Sequence, residues 1–185
     1  MEDLITYCQP TGPLPGLVNS KSGSLLIMGC APCVWDDLKA YDCIHKGDRM
    51  GVNESISAYK GRYQHCVSLH PARLYFWTKT REDKPLIHST HRAGGFPEII
   101  WPLHRDGALS GIFACLISLL MGYEQVIVAG MPCDSTGNFY ENEPRPLAGA
   151  DSTKAEWLRA HDAVFKGRVK SLSGWTKDQF GAPDA

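Results

Sequence analysis

Short apolar runs alternate with amphipathic segments along most of the chain. Two runs lack any internal alternation, SLLIMG at 24–29 and QVIVAG at 125–130, and this pattern is typical of strands buried on both faces of a sheet. Further strands are predicted, in chain order, at residues 49–53, 65–70, 84–90, 98–103 and 168–173. The 98–103 strand is predicted at a sheet edge, because Pro102 cannot donate to a ladder.

Three segments have the residue spacing of helices, namely 34–41, 110–122 and 151–167. The second is apolar nearly all round and is predicted to end at Gly122. For the third, Thr153 and Glu156 predict a capping box at the start, and Gly167 predicts the end. Because strands alternate with helices, we expect an α/β fold: a single Rossmann-like domain whose mostly parallel sheet is flanked by helices.

Composition is that of an ordinary soluble domain. The chain has 185 residues, with 43% hydrophobic and 21% charged residues. Residues 1–23 contain several prolines and glycines and predict an irregular N-terminal lead-in, and residues 24–185 predict the Rossmann-like, nucleotide-binding domain. With 19 basic and 20 acidic residues, the formal net charge is −1, so we expect no nucleic acid or membrane surface as a partner.

The N-terminal segment MEDLITYCQPTGPLPG is acidic where a signal peptide is basic, and it carries prolines where a signal peptide is apolar. The longest apolar run, GIFACLISLLMGY, is too short to span a bilayer and predicts a buried helix. We therefore expect a cytoplasmic protein whose seven cysteines are mostly free thiols.

Parallel α/β sheets bind ligands at the carboxyl ends of their strands, near the point where strand order reverses. Applied to the predicted elements, this rule selects residues 29–33, 53–55, 110–111 and 130–140. The first of these segments contains the most distinctive motif in the chain, a CxxC formed by Cys30 and Cys33.

The CxxC allows three interpretations. A CxPC between a strand and a helix is typical of a thioredoxin-like redox dithiol, although no later strand offers an obvious opposing cis-proline. Two cysteines could also supply half of a structural zinc site, although no second CxxC completes it. Third, Gly29 and Pro32 could form a tight turn that places a helix N-terminus against a phosphate group. The pattern alone leaves all three open.

A family resemblance favours the third interpretation. LLIMGCAPCVWDDL resembles the strand–turn–helix opening G-N-G-P-S-L of the bacterial sialyltransferase-like family, which is related to archaeal 6-hydroxymethylpterin diphosphokinase. RMGVNESI resembles the family's next strand, which ends in Asn. LSGIFACLISLLMGYEQVIVAGMPCDSTGNFY resembles its Ser-Gly helix, its central strand and its polar loop. The tail VKSLSGWTKDQFGAP resembles short members common in phages and prophages.

The resemblance implies a Rossmann-like domain that binds a CMP-sugar-like nucleotide donor and requires no metal or other cofactor. It implies that residues 29–33 contact phosphate or ribose, that Asn53 hydrogen-bonds the donor, and that Ser110 and Gly111 hold the nucleotide. The full set of implied nucleotide contacts is Gly29, Cys30, Ala31, Pro32, Cys33, Asn53, Arg105, Ser110, Gly111, Gly130 and Tyr140. Here Cys30 and Cys33 replace the family's Asn and Ser, and no histidine precedes the last long helix.

Three residues are candidates for catalysis. His88 and His91 follow or end a predicted strand and could serve as bases, or they could be loop histidines bonded to backbone carbonyls. Asp134 begins the polar loop, and with Asp151 it could hold Mg²⁺ in a phosphotransfer variant. The acids Asp36 and Asp37 are expected only to favour the helix dipole at the start of 34–41.

The sequence thus predicts a protein that binds a nucleotide or nucleotide-sugar, with a glycosyltransferase-like activity as the leading hypothesis. One alternative is a diphosphokinase-like enzyme that uses ATP and Mg²⁺. A second alternative is a non-catalytic, phage-encoded module that keeps the nucleotide pocket without the family's histidine.

Overall fold

A computed structural model describes residues 1–104, 109–134, 136–141 and 150–184. Within these residues one sheet contains seven strands, all parallel, in the order β5-β4-β3-β2-β1-β6-β7. The strands are β1 (Ser24–Met28), β2 (Asp48–Val52), β3 (His65–Val67), β4 (Leu86–Ser89), β5 (Ile99–Ile100), β6 (Gln125–Ala129) and β7 (Val169–Ser171). The α/β, Rossmann-like fold predicted from the sequence is therefore confirmed.

Helices connect the strands and cover both faces of the sheet. They are α1 (Glu2–Cys8), α2 (Val34–Ile44), α3 (Ser55–Ala58), α4 (Pro71–Thr78), α5 (Ser110–Met121), α6 (Ala150–Ala160) and α7 (Gly174–Phe180). A π-helical segment, His161–Phe165, continues α6. No helix in the described part of the chain is both long enough and apolar enough to cross a membrane.

The core has two layers because successive strand residues point to opposite faces. In β1, Leu26 and Met28 pack on the face covered by α2, α3 and α4. Leu25 and Ile27 pack on the other face, against α1, α5, α6 and α7. Helix α5 is almost entirely buried and ends at Gly122, whose left-handed φ of 104° closes the helix as its sequence predicts.

Two predictions about the helices need correction. The capping box is wrong, because α6 begins at Ala150 and places Thr153 inside the helix. The irregular lead-in is interrupted by α1, whose Leu4 and Cys8 are buried in the core. An amphipathic segment as short as α1 gives a weak periodic signal, and tertiary packing rather than propensity stabilises it.

The predicted edge strand is confirmed, because β5 lies at one end of the sheet and Pro102 stands just beyond it. From β1 the chain adds β2 to β5 on one side, then crosses back through α5 to place β6 on the other side. Strand order therefore reverses between β1 and β6, whose carboxyl ends open into a crevice, as in other doubly wound sheets.

Candidate functional site

A cavity of about 370 Å³ lies at this crevice. Its walls come from the turns after β1 and β6, from Asn53 after β2, from the start of α5 and from Thr153 and Trp157 of α6. A volume of this size falls within the range of small-molecule sites. The structure therefore brings together residues from all four segments that the sequence selected as strand ends.

Two glycines let the turns after β1 and β6 approach each other. The N–H of Ala31 donates to the Gly130 carbonyl at 3.0 Å. A Cβ atom on Gly29 would lie 2.5 Å from that carbonyl oxygen, and one on Gly130 would lie 2.5 Å from the Val34 Cβ. Gly130 also has a φ of +64°, which side chains other than glycine adopt with difficulty. Glycine is thus required at the floor of the crevice.

Asp37 fixes the position of the β6 turn. Its Oδ2 atom accepts the backbone N–H of Gly130 at 2.8 Å and the hydroxyl of Ser173 at 2.7 Å. The side chain is buried, so its role exceeds the dipole effect expected from its place in the first turn of α2. This one carboxylate joins α2 to the carboxyl-end turns of β6 and β7.

Helix α5 begins at the cavity wall. Its first residues, Ser110 and Gly111, line the cavity, and no side chain among the described residues caps the helix N-terminus. The unpaired N–H groups of a first turn carry partial positive charge and favour anions. A Cβ on Gly111 would lie 2.8 Å from the Met131 sulfur and 3.2 Å from Trp157, so this glycine also permits close packing at the wall.

Two acidic residues, Asp134 and Glu141, also line the cavity. Each carboxylate has one oxygen already engaged by its own loop. The N–H of Thr136 donates to Asp134 Oδ1 at 2.9 Å, and the N–H of Asn138 donates to Glu141 Oε2 at 2.8 Å. The second oxygen of each carboxylate leaves an acceptor that a ligand hydroxyl or amine could use.

The CxxC does not have the environment of a reactive dithiol. Cys30 is buried and its Sγ contacts the Val52 carbonyl at 3.4 Å. Burial raises the pKa of this thiol to about 12, whereas redox-active thiols have lowered values. Burial also raises the pKa of Cys33, whose sulfur contacts the Ser173 hydroxyl at 3.3 Å. Both cysteines are free thiols.

Within the residues that the structure describes, the two thiols are not part of a metal site either, because no group of three or more His, Cys, Asp or Glu side chains there could hold a metal ion. Cys33 is the N-cap of α2, so Pro32 precedes the helix rather than standing in its first turn. The segment is a tight turn whose Gly29, Cys30 and Ala31 line the cavity.

The two candidate catalytic histidines lie away from the cavity lining. His88 is completely buried, and its ring bonds Trp101 on one side and His65 on the other, at 3.1 and 3.0 Å. A base that solvent cannot reach cannot serve a substrate there, so we assign His88 to the core. His91 is exposed on the loop after β4, where its ring contacts Thr90 at 3.0 Å.

The remaining predicted site residues divide into three groups. Asn53, Ser110, Gly111, Gly130 and Asp134 join the cavity lining. Pro32, Cys33 and Tyr140 lie beside it in the sequence but do not line it. Arg105 and the segment before α6 that lacks the family's histidine, residues 142–149, lie outside the described residues.

Sequence reasoning missed Glu141 and Trp157, and within the selected segment 130–140 it did not single out Met131 or Cys133. Trp157 looks like an ordinary core residue in the sequence, and only the fold places it at the end of the sheet. Cys133 has a left-handed φ of 52°, an uncommon conformation for this residue type that no local sequence signal announces.

Comparison with known proteins gives no match: no protein family, no curated protein and no solved structure is significantly similar to this chain.

Proposed function

We propose that the cavity between β1 and β6 binds a nucleotide or nucleotide-sugar. The observation that carries the proposal is the position of the cavity. It lies where strand order reverses, and the start of α5 forms one of its walls. This is the place where open α/β sheets bind their ligands, and a helix N-terminus suits a phosphate group. The resemblance of the strand-end motifs to the sialyltransferase-like family supports the same assignment.

The distribution of polar groups suggests how such a ligand would lie. Its phosphate would face the start of α5 near Ser110 and Gly111. Its sugar hydroxyls would face Asp134 and Glu141, which can only accept hydrogen bonds when ionised. Trp157 and Met131, next to Gly111, supply apolar surface to the lining.

Glycosyl transfer from a nucleotide-activated donor is the leading activity. Among the described lining residues there is no histidine, lysine or arginine, so Asp134 and Glu141 are the candidates for a general base. The cavity thiols of Cys30 and Cys133 are poor bases at neutral pH, because burial raises the pKa of each to about 12. Glycosyl transfer would therefore require Asp134 or Glu141 to act as the base. If neither carboxylate does so, the protein would be a non-catalytic binding module.

Two carboxylates in one cavity also favour a second candidate, a diphosphokinase-like phosphotransfer that uses ATP and Mg²⁺. Carboxylates and phosphate oxygens are the ligands that Mg²⁺ prefers. Under this alternative Asp134 and Glu141 would hold the metal and face the phosphates instead of the sugar. Dependence on Mg²⁺ separates the two enzymes.

Thermal-shift titration with CMP, CMP-sugars, UDP-sugars and ATP, each with Mg²⁺ and with EDTA, tests the proposal. A ligand at 100 times its dissociation constant adds about 2.7 kcal/mol of stability, or roughly 5 to 10 °C in melting temperature. We expect a metal-independent response to a cytidine nucleotide. A response to ATP only with Mg²⁺ would favour the diphosphokinase, and no response to any nucleotide would overturn the proposal.

Donor turnover separates an enzyme from a binding module. We expect the wild-type protein to consume a bound nucleotide-sugar and Asp134→Asn to retain binding while losing turnover. Asp36→Asn is the matched control, because the Asp36 carboxylate is exposed on α2 and pairs only with Lys39 among the described residues. Binding without turnover in the wild type would indicate the non-catalytic module.

A further inference from the structure

Asn53 occupies an unusual position at the end of β2. Its backbone is left-handed, with a φ of 56°, a conformation that asparagine tolerates better than most residues. Its N–H donates to the Val67 carbonyl at 3.3 Å, and Asn53 is one of the residues that line the cavity. The side chain of a residue held in this way can present to a ligand either its amide oxygen or its amide nitrogen.

The buried Ser68 determines which of the two Asn53 amide atoms faces the cavity. The Ser68 hydroxyl, at the end of β3, donates to Asn53 Oδ1 at 2.6 Å. The Ser68 Oγ atom in turn accepts the backbone N–H of His70 at 3.0 Å. Ser68 is completely buried, and the described residues offer its hydroxyl hydrogen no other acceptor. If the Asn53 amide were reversed, this hydrogen would be left unpaired in the core, at a free-energy cost.

The Asn53 nitrogen is therefore free to face the cavity. Its Nδ2 atom has no acceptor within the described part of the chain. The buried polar side-chain atoms without a partner there are Tyr41 Oη and His45 Nε2, so Asn53 Nδ2 is accessible. Nearby, Ser110 Oγ already accepts the N–H of Leu69 at 3.2 Å, which leaves the serine hydroxyl as a donor. The Asn53 amide nitrogen thus offers hydrogens to a ligand, and the Ser110 hydroxyl can offer its hydrogen as well.

We infer that Ser68 is a positioning residue, which orients Asn53 so that the cavity presents hydrogen-bond donors at the β2 end. The inference rests on the proposed function and narrows the ligand class. The group bound at Asn53 is an acceptor, such as a phosphate, carboxylate or carbonyl oxygen. The carboxylates of Asp134 and Glu141, which also line the cavity, favour hydrogen-bond donors of the ligand. An anionic or carbonyl group of the ligand would therefore lie at Asn53 and the start of α5 rather than at these carboxylates.

The test compares Asn53→Asp, Ser68→Ala and Ser68→Thr by calorimetric titration with CMP and with cytidine. Asn53→Asp keeps the shape of the side chain and its bond from Ser68, but it replaces the amide donor with a charged acceptor. CMP should therefore bind the variant at least roughly tenfold more weakly, whereas the affinity for cytidine should change much less. Ser68→Ala should weaken CMP several-fold, and Ser68→Thr should restore it. Ser118→Ala, which removes another buried serine hydroxyl, should leave CMP binding unchanged.

An NMR measurement on the ligand-free protein keeps the inference separate from the proposed function. Nuclear Overhauser effects from the two Asn53 Nδ2 hydrogens should reach Ser110 and other cavity residues and should be lost or averaged in Ser68→Ala. If they reach the Ser68 side chain instead, the amide is reversed and the inference fails. If CMP binds wild type and all variants equally, the inference fails while the proposed function stands. If no nucleotide binds, the proposed function fails and the NMR result alone decides the orientation.

Discussion

At the scale of single residues, the crevice depends on the absence of side chains where β1 and β6 end. Gly130 combines a left-handed backbone with close contact to Val34, whereas Gly94, on a surface loop, is left-handed with no atom within 4 Å of a Cβ position. The two glycines share the conformational requirement and differ in the space around them. They form a matched pair that isolates the effect of the close approach.

We predict that Gly130→Ala lowers the free energy of unfolding by about 2 to 5 kcal/mol, since the left-handed backbone costs about 1 to 2 kcal/mol and the overpacking about 1 to 3 kcal/mol. Gly94→Ala should cost about 1 kcal/mol, from the backbone conformation alone. Urea denaturation of both variants measures the difference. Equal losses would show that the turns do not approach as closely as the structure indicates.

At the scale of elements, Asp37 is the contact that holds α2 against the turns after β6 and β7. Removing its carboxylate would leave the buried N–H of Gly130 without an acceptor. The neighbouring acid, Asp36, lies on the exposed side of the same helix turn and forms a surface ion pair with Lys39 at 2.8 Å. Adjacent acids with such different surroundings allow a direct comparison within one helix.

We predict that Asp37→Ala destabilises the protein by about 2 to 4 kcal/mol, because two hydrogen bonds to a charged group are lost and a donor is left buried. Asp36→Ala should change stability by less than about 1 kcal/mol. Because Asp37 fixes Gly130, Asp37→Ala should also weaken ligand binding in the cavity. Denaturation and calorimetry of the two variants check these effects, and similar losses in both would contradict the assigned role.

The regular elements could be predicted because their signals are local. Composition alone predicts buried elements for the apolar runs of β1 and β6 and for α5 with its terminal Gly122. The short helices α1, α3 and α7 carry no such signal, since their stability comes from what they pack against. The strand-end rule located the cavity, but it could not show that His88 points into the core or that Asp37 is buried.

At the scale of the whole molecule, a hydrogen-bonded chain crosses the sheet beneath α5. Trp101 donates to His88 Nδ1, so neutral His88 carries its hydrogen on Nε2 and donates it to His65 Nδ1. His65 in turn donates to the Tyr123 hydroxyl at 3.0 Å, and Tyr123 donates to Asp48, which also pairs with Lys21 at 3.4 Å. Every donor in this chain points toward Asp48, so the chain requires both histidines to be neutral.

We predict that this chain makes stability depend on pH. Burial, with a smaller effect of Lys21, lowers the pKa of His65 to about 4, and burial with the neighbouring His65 lowers that of His88. The unfolded chain binds protons at these histidines below about pH 6.5, whereas the folded chain does not. The free energy of unfolding should therefore fall as pH drops from about 6.5 to about 4, by about 3 kcal/mol for His65 alone.

Urea denaturation at a series of pH values between 4 and 8 measures this slope. His91→Gln removes an exposed histidine and should keep the slope, whereas His65→Gln should reduce it. Carboxylates with lowered pKa values, such as Asp83, act mainly below this window and do not obscure the comparison. A flat profile in the wild type between pH 4.5 and 6.5 would mean that the buried histidines are not held neutral.

Titration of the ¹⁵N-labelled protein with CMP in EDTA would show whether the cavity at the reversal of strand order binds a nucleotide. We expect saturable shifts of the backbone amide signals of Gly29, Asn53, Ser110, Gly111 and Gly130, with little change at the amino ends of the strands. Spectra that do not change at millimolar CMP, or shifts confined to residues that do not line the cavity, would contradict the proposal.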